Sequence, residues 1–301
     1  MKILVIGSKG FIGSHVYKYY TAKADYLCWG CDVVVDYTDD HYFLVDHITS
    51  DFNEIFEKHQ FDVCINCAGA ASVPDSIKNP FRDFSLNVYH VAMVLEALRK
   101  HNDRCRFINL SSAAVYGNPG KLPISESFPC YPLSPYGKHK LIAEEICKEY
   151  NEYFGINTCS LRIFSAFGPG LRKQILWDIY QKSLHADAIS LFGTGMETRD
   201  FVYIDDIVQA IHKVILAGNF SAGIYNVGSG KEITIRELAD ILLEEMDYKG
   251  KLFFSGNERI GDPINWQADI SLIKELEYEP KFSIRSGITQ YLQWLKEEKL
   301  L

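Results

Sequence analysis

Short continuous apolar runs recur through the first half of the chain, separated by segments with helical periodicity. An uninterrupted apolar run is typical of a strand buried on both faces of a parallel sheet. The predicted strands are Lys2–Ile6, Tyr26–Cys31, Phe61–Asn66, Arg106–Leu110 and Thr158–Ile163. Because helices alternate with these strands, right-handed crossovers are expected, and the first half is predicted to form a doubly wound α/β domain.

The second half of the chain loses this strict alternation. Strands are predicted at Ile189–Phe192, Phe201–Ile204, Ile224–Val227 and Lys251–Phe254, and helices over Leu171–Leu184, Thr234–Met246 and Ser283–Lys296. This pattern indicates a smaller α/β lobe. We therefore predict a main domain over residues 1–166, a segment near 199–224 that returns to it, and a second lobe that contains most of residues 167–301.

One predicted helix brings two reactive side chains together. It begins with Ser134 as N-cap and Pro135 in the first helical position, and it ends at Gly155. Tyr136 and Lys140 are four residues apart, so they share one face. An ammonium group beside a phenol favours the phenolate, which predicts a lowered tyrosine pKa and a general acid/base role. The alternative is an ordinary amphipathic helix on which neither residue has a function.

A glycine-rich turn follows the first predicted strand directly. Gly7, Gly10 and Gly13 have the spacing G-x-x-G-x-x-G, and helical periodicity begins at Phe11 and Ile12. Strand, glycine turn and helix in this order are the context of a dinucleotide-binding fingerprint. The glycines let the backbone approach a pyrophosphate, and the helix N-terminus attracts it. The first domain is therefore predicted to be a Rossmann-type NAD(P)-binding domain.

Two residues give opposite indications about the cofactor. Asp32 follows the second predicted strand, where an acidic residue binds the adenosine ribose 2′-hydroxyl and selects NAD, and Asp36 is the alternative for this role. Lys9 lies inside the glycine turn, where a basic side chain reaches the 2′-phosphate of NADP. Because no arginine precedes Arg82, NAD is the preferred cofactor and NADP the alternative. Further predicted cofactor contacts are Asp46 and Ile48 beside the adenine, and Ala68 and Gly69 after a strand.

Charge and hydropathy narrow the class of protein. The 301 residues carry a net charge of −8 and no run of lysine and arginine, which disfavours nucleic acid as a partner. No stretch has the length of a transmembrane helix, and the N-terminus lacks the apolar region of a signal peptide. A cytoplasmic protein without a membrane partner is therefore expected.

The eight cysteines include two pairs with the spacing of a zinc or redox site. These pairs are Cys28 with Cys31 and Cys64 with Cys67, in or beside predicted strands. Residues three apart on a strand point to opposite faces, so neither pair converges on one ion. Buried, reduced, structural cysteines and no metal site are therefore predicted.

Taken together, these motifs resemble the extended short-chain dehydrogenase/reductase family, in its branch of nucleotide-sugar epimerases and dehydratases. The resemblance covers nearly the whole chain. It rests on the glycine turn, Asn87, Ser111–Gly117, Ser134–Lys138, Leu161–Phe164, Gly168–Pro169, Gly193–Phe201, Tyr225–Gly228 and Arg259–Pro263. The family implies cofactor contacts from Asn87, Tyr136 and Lys140, and a homodimer formed through the helices that carry Asn87 and Tyr136.

The resemblance also implies a catalytic trio and a substrate site. Tyr136 would exchange a proton with a sugar hydroxyl while hydride passes between the sugar carbon and the nicotinamide. Ser112 would hydrogen-bond the same oxygen, and Lys140 would hold the nicotinamide ribose. Arg199 and Arg259 match contacts to the diphosphate of a nucleotide sugar, where charge-assisted bonds to phosphate are expected.

Three departures from the family pattern bear on the chemistry. Ala113 and Ala114 stand where dehydratases have an acid pair, and neither exchanges a proton, so 4,6-dehydration is disfavoured. Ser165 replaces an asparagine that binds substrate in many relatives, and it offers one hydroxyl instead of an amide. Trp266 lies in a loop that helps to set pocket width in relatives, and it is read either as a bar to N-acetyl sugars or as packed core.

The leading hypothesis from the sequence is an NAD-dependent nucleotide-sugar 4-epimerase that works through a 4-keto intermediate. An NAD(P)H-dependent 4-keto-sugar-nucleotide reductase of deoxysugar synthesis is the first alternative, because it uses the same trio. A nucleotide-uronic-acid decarboxylase is the second alternative. A non-catalytic binding protein is the third, and the intact Ser112, Tyr136 and Lys140 argue against it.

Overall fold

The computed structural model describes residues 1–46, 51–257, 261 and 263–300. Its strands are β1 (Lys2–Ile6), β2 (Leu27–Asp32), β3 (Tyr42–Leu44), β4 (Val63–Asn66), β5 (Arg106–Ser112), β6 (Thr158–Ile163), β7 (Ser165–Phe167), β8 (Ala188–Leu191), β9 (Thr198–Tyr203), β10 (Ser221–Val227), β11 (Glu232–Thr234) and β12 (Lys251–Phe254). Its α-helices are α1 (Phe11–Thr21), α2 (Asn53–Lys58), α3 (Val73–Lys78), α4 (Pro80–Phe84), α5 (His90–His101), α6 (Pro135–Phe154), α7 (Gln174–Ser183), α8 (Ile204–Ala217), α9 (Ile235–Glu245), α10 (Ser271–Lys274) and α11 (Ile284–Glu297).

Seven parallel strands form the main sheet, in the order β3-β2-β1-β4-β5-β6-β10. The strand order reverses between β1 and β4. In open α/β sheets ligands bind at such a switch point, beyond the carboxyl ends of the strands. The predicted doubly wound fold is therefore confirmed, and the topology places the glycine turn after β1 at the ligand-binding edge.

Apolar side chains of the central strand pack on both faces of this sheet. Ile3 and Val5 lie in the larger core cluster, whereas Leu4 and Ile6 lie in a second cluster on the opposite face. All four side chains are essentially inaccessible to solvent. Successive residues of a strand point to opposite faces, so a continuous apolar run is what a sheet covered by helices on both sides requires.

The second half contributes a smaller lobe with two short sheets, ordered β11-β9-β7 and β12-β8. Strand β10 instead pairs with β6 and returns to the main sheet. The division of the chain at residue 166 stays a prediction. No helix in the described part of the chain is both long enough and apolar enough to cross a membrane.

Several elements differ from the sequence prediction. Helix α8, the short strands β7 and β11, and a π-helical turn at Ser85–Tyr89 that joins α4 to α5 were not predicted. Strand β5 extends to Ser112, two residues beyond its predicted end. Three-residue strands such as β7 depend on their partner β9, with which β7 pairs in parallel, and this partner is not visible in local periodicity.

The cysteine pairs behave as their spacing predicts. Cys28 packs in the larger core cluster and Cys31 in the cluster on the other face of the sheet. Cys64 and Cys67 are divided in the same way. All eight cysteines are free thiols, and burial raises the pKa of Cys28 to about 12. In the described ranges no three His, Cys, Asp or Glu side chains form a group that would hold a metal ion.

Candidate active site

The start of α6 lies unusually close to the turn that follows β5. Ser134 caps the helix, and its Oγ accepts the N–H of Gly137 at 3.2 Å. A Cβ atom on Gly137 would lie 2.5 Å from the carbonyl oxygen of Ala114, so only glycine permits this approach. The cap, the proline at the first turn and the left-handed Gly155 at the end of α6 confirm the predicted bounds of this helix. The close packing places Tyr136 beside Ser112.

The tyrosine of this pair does not have the lowered pKa that the sequence predicts. Burial of the phenol raises the pKa of Tyr136, a hydrogen bond with Ser112 opposes this shift, and the nearby carboxylate of Asp83 adds to it. Desolvation disfavours the charged form, and here it is the largest effect on the pKa of Tyr136. The protonated phenol is therefore favoured in the described structure, which corrects the expectation of a phenolate.

Lys140 is a buried cation on the same helix face. Its Nζ donates to the carbonyl oxygen of Leu110 at 2.8 Å, and burial lowers its pKa to about 8 against the opposing effect of nearby acids. A Cβ atom on Gly69 would lie 3.3 Å from this Nζ and 2.6 Å from Oδ1 of Asn87. The structure thus brings together Gly69, Asn87 and Lys140. Both amide atoms of Asn87 are buried without a hydrogen-bond partner in the structure.

The glycine turn fits a dinucleotide pyrophosphate. A Cβ atom on Gly7 would lie 2.6 Å from the backbone nitrogen of Ala68, and one on Gly13 would lie 2.0 Å from the carbonyl oxygen of Gly7. Helix α1 follows with Gly10 as N-cap, no side-chain cap and no acidic residue in its first turn. Its first N–H groups, at Phe11 and Ile12, therefore face no competing side-chain acceptor, as anion binding requires.

Asp32 lies at the end of β2 and touches the glycine turn. Its carboxylate accepts the N–H of Lys9 at 2.8 Å and the N–H of Val33 at 2.7 Å. This position suits an acidic group that binds the adenosine ribose. The side chain of Lys9 forms an ion pair with Asp36 in the loop after β2. The two residues with opposite cofactor indications therefore lie side by side.

A second group of predicted residues lies around Trp266. The guanidinium carbon of Arg199 lies 5.7 Å from the ring centre of Trp266, and Trp266 Nε1 donates to the carbonyl oxygen of Gly117 at 2.9 Å. Trp266 is 8% exposed, so it is packed core that also contacts a predicted substrate residue. Gly261 reaches toward Ser134, because a Cβ atom there would lie 3.6 Å from that serine's Cβ.

Two other predicted site residues lie next to strands of the fold. Ser165 begins β7, and Asp46 follows β3. Ile48 and Arg259 lie outside the described residues. The roles proposed for all four stay predictions.

A buried polar network beneath Ser112 was missed by sequence reasoning. Arg162 donates to both carboxylate oxygens of Glu144, with Nη2 to Oε2 at 2.7 Å, and the two side chains are only 4% and 3% exposed. Ser111, next to Ser112, also bonds Glu144, and Tyr116 accepts from Arg162 at 2.9 Å. Glu144 is four residues after Lys140, a spacing that marks the same helix face. The network fixes α6 against β5 and β6.

A second buried pair lies on the other side of α6. Nδ1 of His139 is 2.6 Å from Oδ1 of Asp83, whose side chain is 3% exposed. Asp83 belongs to α4, so the pair joins this helix to α6 beside the candidate trio. The charge of Asp83 raises the pKa of both Tyr136 and Lys140. Asp83 lies four residues before Asn87, and nothing in the sequence there predicts its contact with His139.

The buried imidazole of His90 is expected to make the stability of the folded chain sensitive to acid. Its Nε2 is buried without a hydrogen-bond partner, and burial, with the charge of Lys140, lowers the pKa of His90 to about 4. In the unfolded chain His90 binds a proton near pH 6.5, whereas in the folded chain it stays neutral until about pH 4. Stability is therefore lost as the pH falls through this window, by roughly 2–3 kcal/mol. We expect His90→Gln to remove that part of the pH dependence in urea unfolding.

His185→Gln is the matched control, because His185 is exposed. It is expected to keep the wild-type slope between pH 6.5 and 4. The assignment is wrong if His90→Gln shows the same acid loss as the wild type.

Comparison with known proteins identifies the family of this chain. The model of the NAD dependent epimerase/dehydratase family matches residues 3–228. A putative UDP-glucose 4-epimerase of Methanocaldococcus jannaschii is 32% identical, with 98% of each chain covered. UDP-glucuronic acid 4-epimerase from Bacillus cereus, solved with UDP-glucuronic acid and NAD, has a TM-score of 0.90 and 26% identity over 99% of this chain and all of that one. UDP-glucose 4-epimerase from Thermotoga maritima, solved with UDP-glucose, has a TM-score of 0.89 and 26% identity over the same shares.

The chain belongs to the NAD dependent epimerase/dehydratase family. The resemblance to extended short-chain dehydrogenases/reductases of nucleotide-sugar metabolism is thereby confirmed, and the protein is an enzyme of that family.

Proposed function

We propose that this enzyme is an NAD-dependent nucleotide-sugar 4-epimerase, with a UDP-sugar as substrate. The observation that carries the proposal is the contact between Ser112, at the end of β5, and Tyr136, at the start of α6. The same helix also holds Lys140 beside Gly69. The choice of UDP is supported by the relatives, whose names and complexes contain UDP-glucose and UDP-glucuronic acid. The choice of epimerisation is supported by the same relatives and by Ala113 and Ala114.

NAD, when bound, supplies a two-electron acceptor that takes a hydride from the sugar and gives it back. Gly7, Gly10 and Gly13 would hold its pyrophosphate, Asp32 its adenosine ribose, and Lys140 with Asn87 the nicotinamide end. Removing hydride from a secondary alcohol also releases the hydroxyl proton, which needs a base within hydrogen-bonding reach.

Tyr136 is the proposed acid/base for that hydroxyl proton. Its phenolate takes the proton as the sugar carbon is oxidised to a ketone, and the resulting phenol returns it when the alcohol reforms. Ser112 stabilises the developing oxygen charge from the other side. Lys140 lowers the cost of the phenolate through its positive charge. Because burial raises the pKa of Tyr136, this electrostatic help matters most when substrate and cofactor close the site.

Arg199 is proposed to bind the diphosphate, together with Arg259 from outside the described residues. The guanidinium of Arg199 is fixed by the carbonyl oxygens of Thr198 and Ile264, at 2.8 and 3.1 Å. A positioned guanidinium suits phosphate better than a mobile one, because less entropy is lost on binding.

The 4-keto-sugar reductase remains the second candidate, because Lys9 occupies a position that suits NADPH. Purified protein should be denatured and the released nucleotide identified, and UDP-, GDP-, dTDP- and CDP-sugars should then be screened. The proposal expects bound NAD and interconversion of two epimers without net cofactor use. Consumption of NADPH with a 4-keto sugar would overturn it in favour of the reductase.

A homodimer is part of the proposal. The π-helical turn and α4 expose large apolar side chains, with Phe81 82%, Tyr89 50% and Phe84 38% accessible. Exposed apolar groups that cluster in this way favour a protein partner. Light scattering is expected to give twice the mass of one chain, and a monomer at micromolar concentration would contradict the assignment.

A further inference from the structure

An ion pair connects the loop between β2 and β3 to the glycine turn. The Nζ atom of Lys9 pairs with a carboxylate oxygen of Asp36 and lies 4.9 Å from the ring centre of Tyr42. The backbone N–H of the same lysine is bonded to Asp32. The lysine therefore stands beside the residue proposed to bind the adenosine ribose.

Asp36 is itself held in place. Its other oxygen accepts the N–H of Thr38 at 2.9 Å and the hydroxyl of Thr38 at 2.6 Å. The hydrogen bond from Lys9, followed by those from Thr38, keeps the pKa of Asp36 well below its usual range. The side chains of Lys9 and Asp36 are 30% and 19% exposed, so the pair remains accessible to a ligand and to salt.

We propose that Asp36 determines cofactor specificity by holding Lys9 away from a 2′-phosphate. NADP differs from NAD only in that phosphate, which carries close to two negative charges at neutral pH. With Asp36 in place, the lysine charge is neutralised, and the phosphate meets the carboxylates of both Asp32 and Asp36. NAD places a neutral hydroxyl there and avoids this repulsion. This inference depends on one part of the proposed function, namely that a dinucleotide binds at the glycine turn.

The test measures dissociation constants of NADH and NADPH for nucleotide-free protein, from the fluorescence of the reduced nicotinamide. Asp36→Asn is expected to tighten NADPH binding by about tenfold, because one like charge is removed and Lys9 is released. NADH binding should change by less than about twofold, since its 2′-hydroxyl is uncharged. The NADPH gain should shrink in high salt, because the groups are partly exposed.

Two further variants distinguish the effect of breaking the ion pair from the effect of removing a negative charge from the loop. Asp39→Asn removes a charge from the same loop without releasing Lys9, because Asp39 accepts instead from the hydroxyl of Tyr17. It should give a much smaller NADPH gain. Lys9→Ala combined with Asp36→Asn should bind NADPH more weakly than Asp36→Asn alone, because the released lysine is then missing.

The possible results are distinguishable. If NADH binds the wild type and Asp36→Asn improves neither cofactor, or improves both equally, this inference is overturned while the proposed function stands. Equal NADPH binding by Asp36→Asn and by the double variant with Lys9→Ala would also overturn it, because the released lysine would then contribute nothing. If neither NADH nor NADPH binds the wild type, the proposed function itself fails.

Discussion

Replacing Tyr136 by phenylalanine is expected to lower kcat by roughly 10²- to 10⁴-fold, the usual contribution of a positioned acid/base group. The ring remains, so the packing of α6 against the turn at Ala114 is kept. Only the phenolic hydroxyl is lost, and with it the proton acceptor for the sugar hydroxyl. NAD binding and the melting temperature should stay near the wild-type values, which separates a chemical defect from a structural one.

Tyr153→Phe provides the matched control for this measurement. Tyr153 lies on the same helix and is 72% exposed, so the loss of its hydroxyl should leave kcat unchanged. Wild-type turnover in Tyr136→Phe, measured with the substrate found by the screen, would refute the proposed proton transfer.

Replacing Arg162 by methionine is expected to cost about 3–5 kcal/mol of unfolding free energy. The change leaves the carboxylate of Glu144 buried and without its bidentate partner. It also removes a donor from the hydroxyl of Tyr116. This is the largest stability effect expected for a single polar substitution next to the site, and urea unfolding measures it.

The reason for that loss can be tested with a double variant. Glu144→Leu combined with Arg162→Met removes both buried charges, so the double variant should be more stable than Arg162→Met alone. Arg285→Met is the surface control, because Arg285 is exposed and pairs with Glu244 and Glu245 at 2.7 Å. It should cost at most about 1 kcal/mol. Strict additivity of the two buried substitutions would contradict the assigned coupling.

Much of the first domain could be predicted because its signals are local. The strand over Lys2–Ile6 is an unbroken apolar run, and α6 carries its own cap, proline and terminal glycine. Helix α9 likewise begins at Thr234 with a complete capping box. Helix α8 was missed because it begins directly at the end of β9, where an apolar run reads equally well as strand.

The residues of the candidate site could be predicted from the sequence, but the effect of their surroundings on their pKa values could not. Ser112, Tyr136 and Lys140 carry family motifs, so their meeting at one edge of the sheet was expected. The raised pKa of Tyr136 was not, because burial depends on how α4, α5 and α6 pack. Asp83 and Glu144 were missed for the same reason: each acts through a partner that is distant in sequence, at His139 and Arg162. Asp36 was named as an alternative ribose ligand, but its ion pair with Lys9 was not predicted.

Epimerisation at C4 through removal and return of hydride is tested most directly with an isotope. A UDP-sugar that carries deuterium at C4 should be incubated with the purified enzyme in ordinary water, and the product examined by NMR and mass spectrometry. We expect a C4 epimer that keeps its deuterium at C4, with no net change in cofactor. An epimer in which solvent hydrogen has replaced that deuterium would contradict it.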